Sequence, residues 1–247
     1  MIVRLPHRKR APDARPLPDH IEAIRLKALK GDPLAQTQCG QALLSSTFMR
    51  SDPAAALGWF HIAARSDFGP AYNMLGRCHH FGHGVEKDLT KAAEYYEKAA
   101  SLGDEWGRYN LAILLLRGLG VPVDRPRAFL LFREAANKGH AKSMNLYARF
   151  LEEGWEVEQD REAALSWYQR SAENGDYRGQ HNFATALAES GQVPEALIWW
   201  RRVMADPETT PDILQAMDRS LSALGDQGDT RLLKAVKQRV ESVIGKA

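Results

Sequence analysis

Asp52, Asp88, Asp124 and Asp160 stand 36 residues apart, and so do Ala56, Ala92, Ala128 and Ala164. Phe60, Tyr96, Phe132 and Tyr168 keep the same step. Gly31, Gly103, Gly139 and Gly175 also follow it, with Asp67 filling the one gap. A fixed period of roughly 20–50 residues marks a stack of identical supersecondary units. Each unit of such a stack touches only its neighbours, so the chain offers extended surface more readily than a buried reactive pocket. The period therefore predicts the architecture and weighs against an enzyme.

The remaining composition narrows the class. Apolar residues at 44% and charged residues at 26% suit a water-exposed globular chain. The longest apolar run, Leu111-Ala112-Ile113-Leu114-Leu115-Leu116, is far short of the ~20 residues that span a bilayer. Basic residues 1–10 are followed by proline-rich residues 11–18 rather than an apolar stretch, so no secretory signal is expected. Two cysteines, Cys39 and Cys78, cannot make a disulfide framework, and the cytosol is the expected compartment. Cys39 shares the register of Leu75 and Leu111, which predicts a small core residue. Arg4, Arg8, Lys9, Arg10 and Arg15 against Asp13 put +4 in residues 1–17. The whole chain's +2 less this +4 leaves −2 for the rest, so the basic character lies in the arm.

Residues 67–102 typify the unit. Small or apolar positions 71, 72, 75, 76 and 79 recur with helical spacing and predict a first helix, A, ending at Gly82-His83-Gly84. Asp88 is placed to cap a second helix, B, through its free N–H groups. Ala92, Tyr96, Ala99 and Ala100 share one face of B, Gly103 ends it, and Asp104 caps the next helix A. A bulkier side chain at Ala99 or Ala135 is expected to overpack the contact.

This pattern resembles the SEL-one-like repeat family, relatives of the tetratricopeptide repeats. The residues that carry the resemblance are Ala71, Leu75, Gly76, Gly82, Gly84, Val85, Asp88, Lys91, Ala92, Tyr95, Tyr96, Lys98, Ala99, Ala100 and Gly103. His79 stands where the motif has tyrosine, and Glu156 replaces the second turn glycine of the fourth repeat. Ser46-Thr47-Phe48 stands in place of that turn in the first repeat. The resemblance implies an all-α, right-handed α/α superhelix of about five 36-residue helix-turn-helix repeats. These lie near 31–66, 67–102, 103–138, 139–174 and 175–206. Residues 1–18 read as a disordered basic arm, 19–206 as the solenoid, and 207–247 as a helical cap with helices near 211–224 and 229–244. A helix near 19–30 is expected to close the other end. In the closing helix, Arg231, Lys234, Lys237 and Arg239 suit a solvated face. The fifth repeat lost four loop residues: Ala196, Trp199 and Trp200 fall 32 residues after Ala164, Trp167 and Tyr168.

The same register bears on each candidate site. Cys78, His79, His80 and His83 invite a metal, yet the register explains His79 as a core position and His83 as a turn residue. Gly82-x-Gly84 and Gly118-x-Gly120 lack the third glycine and the strand of a dinucleotide loop, so they read as helix turns. Trp59, Trp167, Trp199 and Trp200 occupy helix B aromatic positions and are expected to pack between helices. Trp106 and Trp155 fall outside those positions. Helix A lines the inner groove of tetratricopeptide-like arrays. The resemblance then places Thr37, Gln41, Asn73, Arg77, Tyr109, Ile113, Asn145, Arg149, His181 and Thr185 toward a partner. Asn73–Arg77 and Asn145–Arg149 are i, i+4 pairs that could converge on one ligand, asparagine on peptide backbone and arginine on carboxylate.

The expectation is a non-enzymatic adaptor that holds another protein or an extended peptide on its concave face, without cofactor, metal or membrane. Family habit implies a bacterial cytosol. One alternative is a nucleic-acid accessory protein using the basic arm; the other is a metal-linked regulator using Cys78, His79, His80 and His83.

Overall fold

The 36-residue spacing of aspartates appears in space as a series of capped helices. In a computed structural model the structure describes residues 18–45 and 50–244, and the arm and Ser46-Thr47-Phe48 lie outside them. Thirteen α-helices and a single 3-10 turn, Gly225–Gln227, occur among the described residues, with no strand. Asp52, Asp88, Asp124 and Asp160 each accept the N–H of the residue three ahead, at 2.8–3.0 Å. Asp104 and Asp176 do the same for Gly107 and Gly179. One such cap is worth about 1 kcal/mol, so these aspartates fix where six of the helices begin.

The chain divides into two compact units after Tyr95. In the first, α1 (Asp19–Leu29) packs on α2 (Pro33–Ser45), which pairs with α3 (Pro53–Ala64). Helix α4 (Gly69–Phe81) then lies against both α3 and α2. Its core gathers Ala56, Phe60, Ala63, Ala71, Met74, Leu75 and Cys78, with Val85 of the following loop packed on it. Gly84 of that loop has φ +73°, and a Cβ there would overlap the backbone of Pro53 at the start of α3. The loop thus lies directly on the preceding helix B, and only glycine permits that approach.

Helix α5 (Leu89–Ser101) follows. In the second unit the order continues as α6 (Glu105–Arg117), α7 (Arg125–Asn137), α8 (Ala141–Glu153), α9 (Arg161–Glu173), α10 (Tyr177–Glu189) and α11 (Val193–Ala205). Helices α12 (Pro211–Ala223) and α13 (Thr230–Ile244) end it. From α6 to α11 each helix packs on the next, α12 pairs with α13, and α10 also touches α8 and α12. The A-type helices α8, α10 and α12 therefore form one layer of this unit. Its core joins Ala164, Tyr168, Phe183, Leu187, Trp199, Trp200, Met217 and Val236, again with a loop valine, Val157, packed against it.

Two expectations need correction. Cys39 is half-buried, unlike the buried Leu75 and Leu111 of its register. The shorter side chain leaves a small apolar cleft of about 180 Å³ beside Ile21, Ile24, Leu29 and Trp59. Arg239 does not face solvent. It donates to the carbonyls of Met204 (2.6 Å) and Asp206 (3.0 Å), while Arg231, Lys234 and Lys237 are exposed as expected.

Candidate functional site

The register places the groove residues on α2, α4, α6, α8 and α10, and the structure sorts them by depth. In the first unit Thr37 is buried and donates to Pro33 O, Asn73 is 7% exposed, and Arg77 is exposed. Gln41 is exposed, with Nε2 3.7 Å from the Met74 sulfur. In the second unit Asn145 is 4% exposed and Arg149 is exposed. The Asn–Arg pairs therefore do not offer two equal arms to one ligand. The short asparagine stays between neighbouring helices while the long guanidinium climbs out. Asn145 Oδ1 accepts from Asn182 Nδ2 at 2.8 Å, which ties α8 to α10. The sequence pattern does not single out Asn182, although it sits one position past the same register.

Arg149 lies over the Trp155 ring, 5.2 Å from its centre, and Trp155 is itself edge-on to Phe150. This contact pre-orients the guanidinium. Ile113 and Tyr109 are half-buried. Tyr109 meets His140 (5.1 Å between rings), Trp106 (6.1 Å) and Phe132 (6.1 Å), and burial raises its phenol pKa. Trp106 is 46% exposed, with Lys142 Nζ 5.1 Å above it. His181 is buried, and its Nδ1 accepts the Trp200 Nε1–H at 3.2 Å, so the ring proton belongs on Nε2. Burial, aided by Arg219, pushes its pKa down to about 4. Thr185 donates to His181 O. His181 is thus a structural residue rather than an open contact.

One contact has the look of a catalytic pair. His140 Nδ1 lies 2.8 Å from Ser143 Oγ. Both residues are buried, and the same Nδ1 accepts the Ser143 backbone N–H, as the aspartates do at this register. Burial lowers the imidazole to about pKa 4, too weak a base to activate a hydroxyl near neutrality. The pair is a helix cap.

The cysteine–histidine cluster is also taken up by packing. Cys78 is fully buried and its thiol is pushed up to about 11 by burial. His79 is buried and stacked 5.3 Å from Tyr95, His80 is stacked on Phe81, and His83 is exposed. Among the described residues no group of three or more His, Cys, Asp and Glu is placed to hold a metal ion. No described helix is long and apolar enough to cross a membrane. Of the helix B tryptophans, Trp199 and Trp200 are buried and Trp59 and Trp167 half-buried.

Residues 33–68, 69–104, 107–140 and 141–176 match the Sel1 repeat family, more than half of the chain. The chain belongs to the Sel1 repeat family. Sel1 repeats generally serve as protein–protein interaction modules. A Sel1 repeat protein from Oxalobacter formigenes has the same fold, with a TM-score of 0.74, 21% identity, 90% of this chain covered and 99% of that one. An immunity protein from Pseudomonas aeruginosa, Pa5087, shares it with a TM-score of 0.53, 17% identity and coverage of 94% and 84%. At these identities the likeness concerns fold alone, and it bears out the all-α helix-hairpin solenoid. HRD3B, an ERAD-associated E3 ubiquitin-protein ligase component of Arabidopsis thaliana, is 36% identical over 108 residues. That match covers 43% of this chain, which spans only 17% of the relative's length. The four matched Sel1 repeats end at Asp176, before the shortened fifth repeat.

Proposed function

We propose that this Sel1 repeat protein is a non-enzymatic adaptor that holds an extended segment of a partner protein against its A-type helices. The observation that carries this reading is the layered face of the second unit. A part-buried Asn145–Asn182 bond ties α8 to α10, and Arg149, exposed one turn further along α8, lies over a tryptophan ring. A rigid helical platform loses little entropy on binding, and an exposed, oriented guanidinium can grip a carboxylate with two parallel bonds. Arg77 is the corresponding exposed side chain of α4 in the first unit. Tyr109 and Ile113 supply apolar surface at the same register of α6. The proposed compartment is the cytoplasm.

The test uses an Arg77→Ala/Arg149→Ala variant, which leaves the buried asparagines intact, as bait beside the wild-type chain. Equal melting of the two baits is checked first. A protein captured by wild type and lost by the variant supports the reading. Equal capture by both removes the A-helix face from it.

A further inference from the structure

The shortened fifth repeat removes a covering that the earlier repeats possess. In the first unit the seven-residue loop 82–88 lies on the start of the preceding helix B, at Gly84 on Pro53, and inserts Val85 against the core. In the second unit Val157 of loop 154–160 is likewise packed on the core. The corresponding connection between α10 and α11 is only Ser190-Gly191-Gln192, with no valine. The position such a loop would cover is the first two turns of α9.

A cleft of about 520 Å³ opens at that position. This volume lies within the ~300–1,000 Å³ of ordinary ligand sites. Ala164, Leu165 and Ala186 give it an apolar floor, while Glu152, Glu153, Glu189 and Arg161 supply its charge. Three carboxylates face one guanidinium. Glu152 is held in place by the Tyr168 hydroxyl, which donates to its Oε2 at 2.7 Å from a buried ring. Among the described residues no ion pair engages Glu153, Glu189 or Arg161.

We propose that this cleft is a second docking site, which receives a short peptide segment bearing one basic side chain in place of the missing loop. The missing element is itself a peptide turn, so the vacated shape suits backbone. The excess of carboxylates selects lysine or arginine, whose aliphatic stem can lie along the alanine–leucine floor while its charged head reaches the rim. The site lies at the C-terminal ends of α8 and α10 and does not include Arg149, so it stands or falls separately from the adaptor face.

The probes are two blocked tetrapeptides patterned on the chain's own turn, Gly-Arg-Gly-Val and Gly-Glu-Gly-Val, titrated to millimolar concentration into the full isotope-labelled chain. Expected are amide shifts confined to residues 152–168 and 186–190 with the arginine peptide, and affinity lower by about tenfold with the glutamate peptide. Glu153→Gln/Glu189→Gln, both at exposed positions, is expected to weaken the arginine peptide by a similar factor. Replacing Ser190-Gly191-Gln192 with the seven residues of loop 82–88 is expected to abolish binding by filling the cleft. Absence of shifts with the arginine peptide, equal binding of both peptides, shifts centred elsewhere, or unaltered binding by a folded loop-restored chain would each overturn the proposal.

Discussion

Ser171 and Gly179 are a matched pair at the contact of α9 with α10. Ser171 stands where the other repeats carry Ala63, Ala99 and Ala135, and a Cβ on Gly179 would overlap its side chain. The hydroxyl gained at 171 donates to Ala141 O at 2.8 Å and approaches Asp176 Oδ2 at 3.3 Å. Gly179→Ala is therefore expected to cost about 1–3 kcal/mol by overpacking. Adding Ser171→Ala should recover only a part of that loss, because the Cβ of residue 171 would still stand 2.6 Å from the new one, as the Ala99 Cβ would from a Cβ on Gly107. Urea unfolding of the two single variants and the double variant checks the coupling.

Glu156 takes φ +58° at the turn where the second and third repeats have Gly84 and Gly120. A side chain in that conformation costs roughly 1–2 kcal/mol, and glycine's extra freedom in the unfolded chain returns part of it. Glu156→Gly should accordingly stabilise the protein by about 1 kcal/mol or less, read as a higher midpoint in thermal unfolding.

These two positions show what the sequence makes legible. The fixed period announced the aspartate caps, the glycine turns and the alanine contacts, because each is a local requirement of one helix end or one close approach. Burial of Asn145 was not legible in the same way. Its depth depends on the neighbouring helix bringing Asn182 within 2.8 Å, and that partner lies 37 residues away, off the 36-residue register. His140 escapes a reading of the sequence for a related reason. It occupies the cap position of Asp104 and Asp176, yet imidazole capping has no composition signal comparable to aspartate. The loss of four loop residues was visible in the spacing, whereas the cleft it opens required α8, α9 and α10 in place.

Arg239 closes the C-terminal end of α11 from α13. Its two nitrogens reach the carbonyls of Met204 and Asp206, groups that a helix end otherwise leaves unpaired. Arg239→Lys keeps the charge but offers one donor point instead of a fork, and a loss of about 1 kcal/mol is expected. Arg239→Ala should cost roughly 1.5–3 kcal/mol. In both variants hydrogen exchange should quicken in α13 before it does in α9, since the bond joins α13 only to the end of α11.

Mild acid should destabilise the second unit through two buried histidines. His140 and His181 both have pKa values lowered from 6.5 to about 4, chiefly by burial. About a unit or more above 6.5 both are neutral whether folded or unfolded and add no pH dependence. As the pH falls from 6.5 to 4 the unfolded chain takes up protons that the folded chain refuses, so stability declines, by at most roughly 3 kcal/mol per histidine. Asp104 and Asp176 act in the opposite sense. Burial raises their pKa values above 3.8, so their protonation as the pH falls favours the folded state and offsets part of the histidine effect. Urea unfolding between pH 7.5 and 4.5 should therefore show a falling midpoint. His181→Gln keeps an acceptor for the Trp200 N–H and should make the slope visibly shallower while costing some stability at pH 7.5. A slope unchanged in that variant would mean that His181 takes up protons in the folded chain, against the buried Trp200–His181 bond on which this expectation rests.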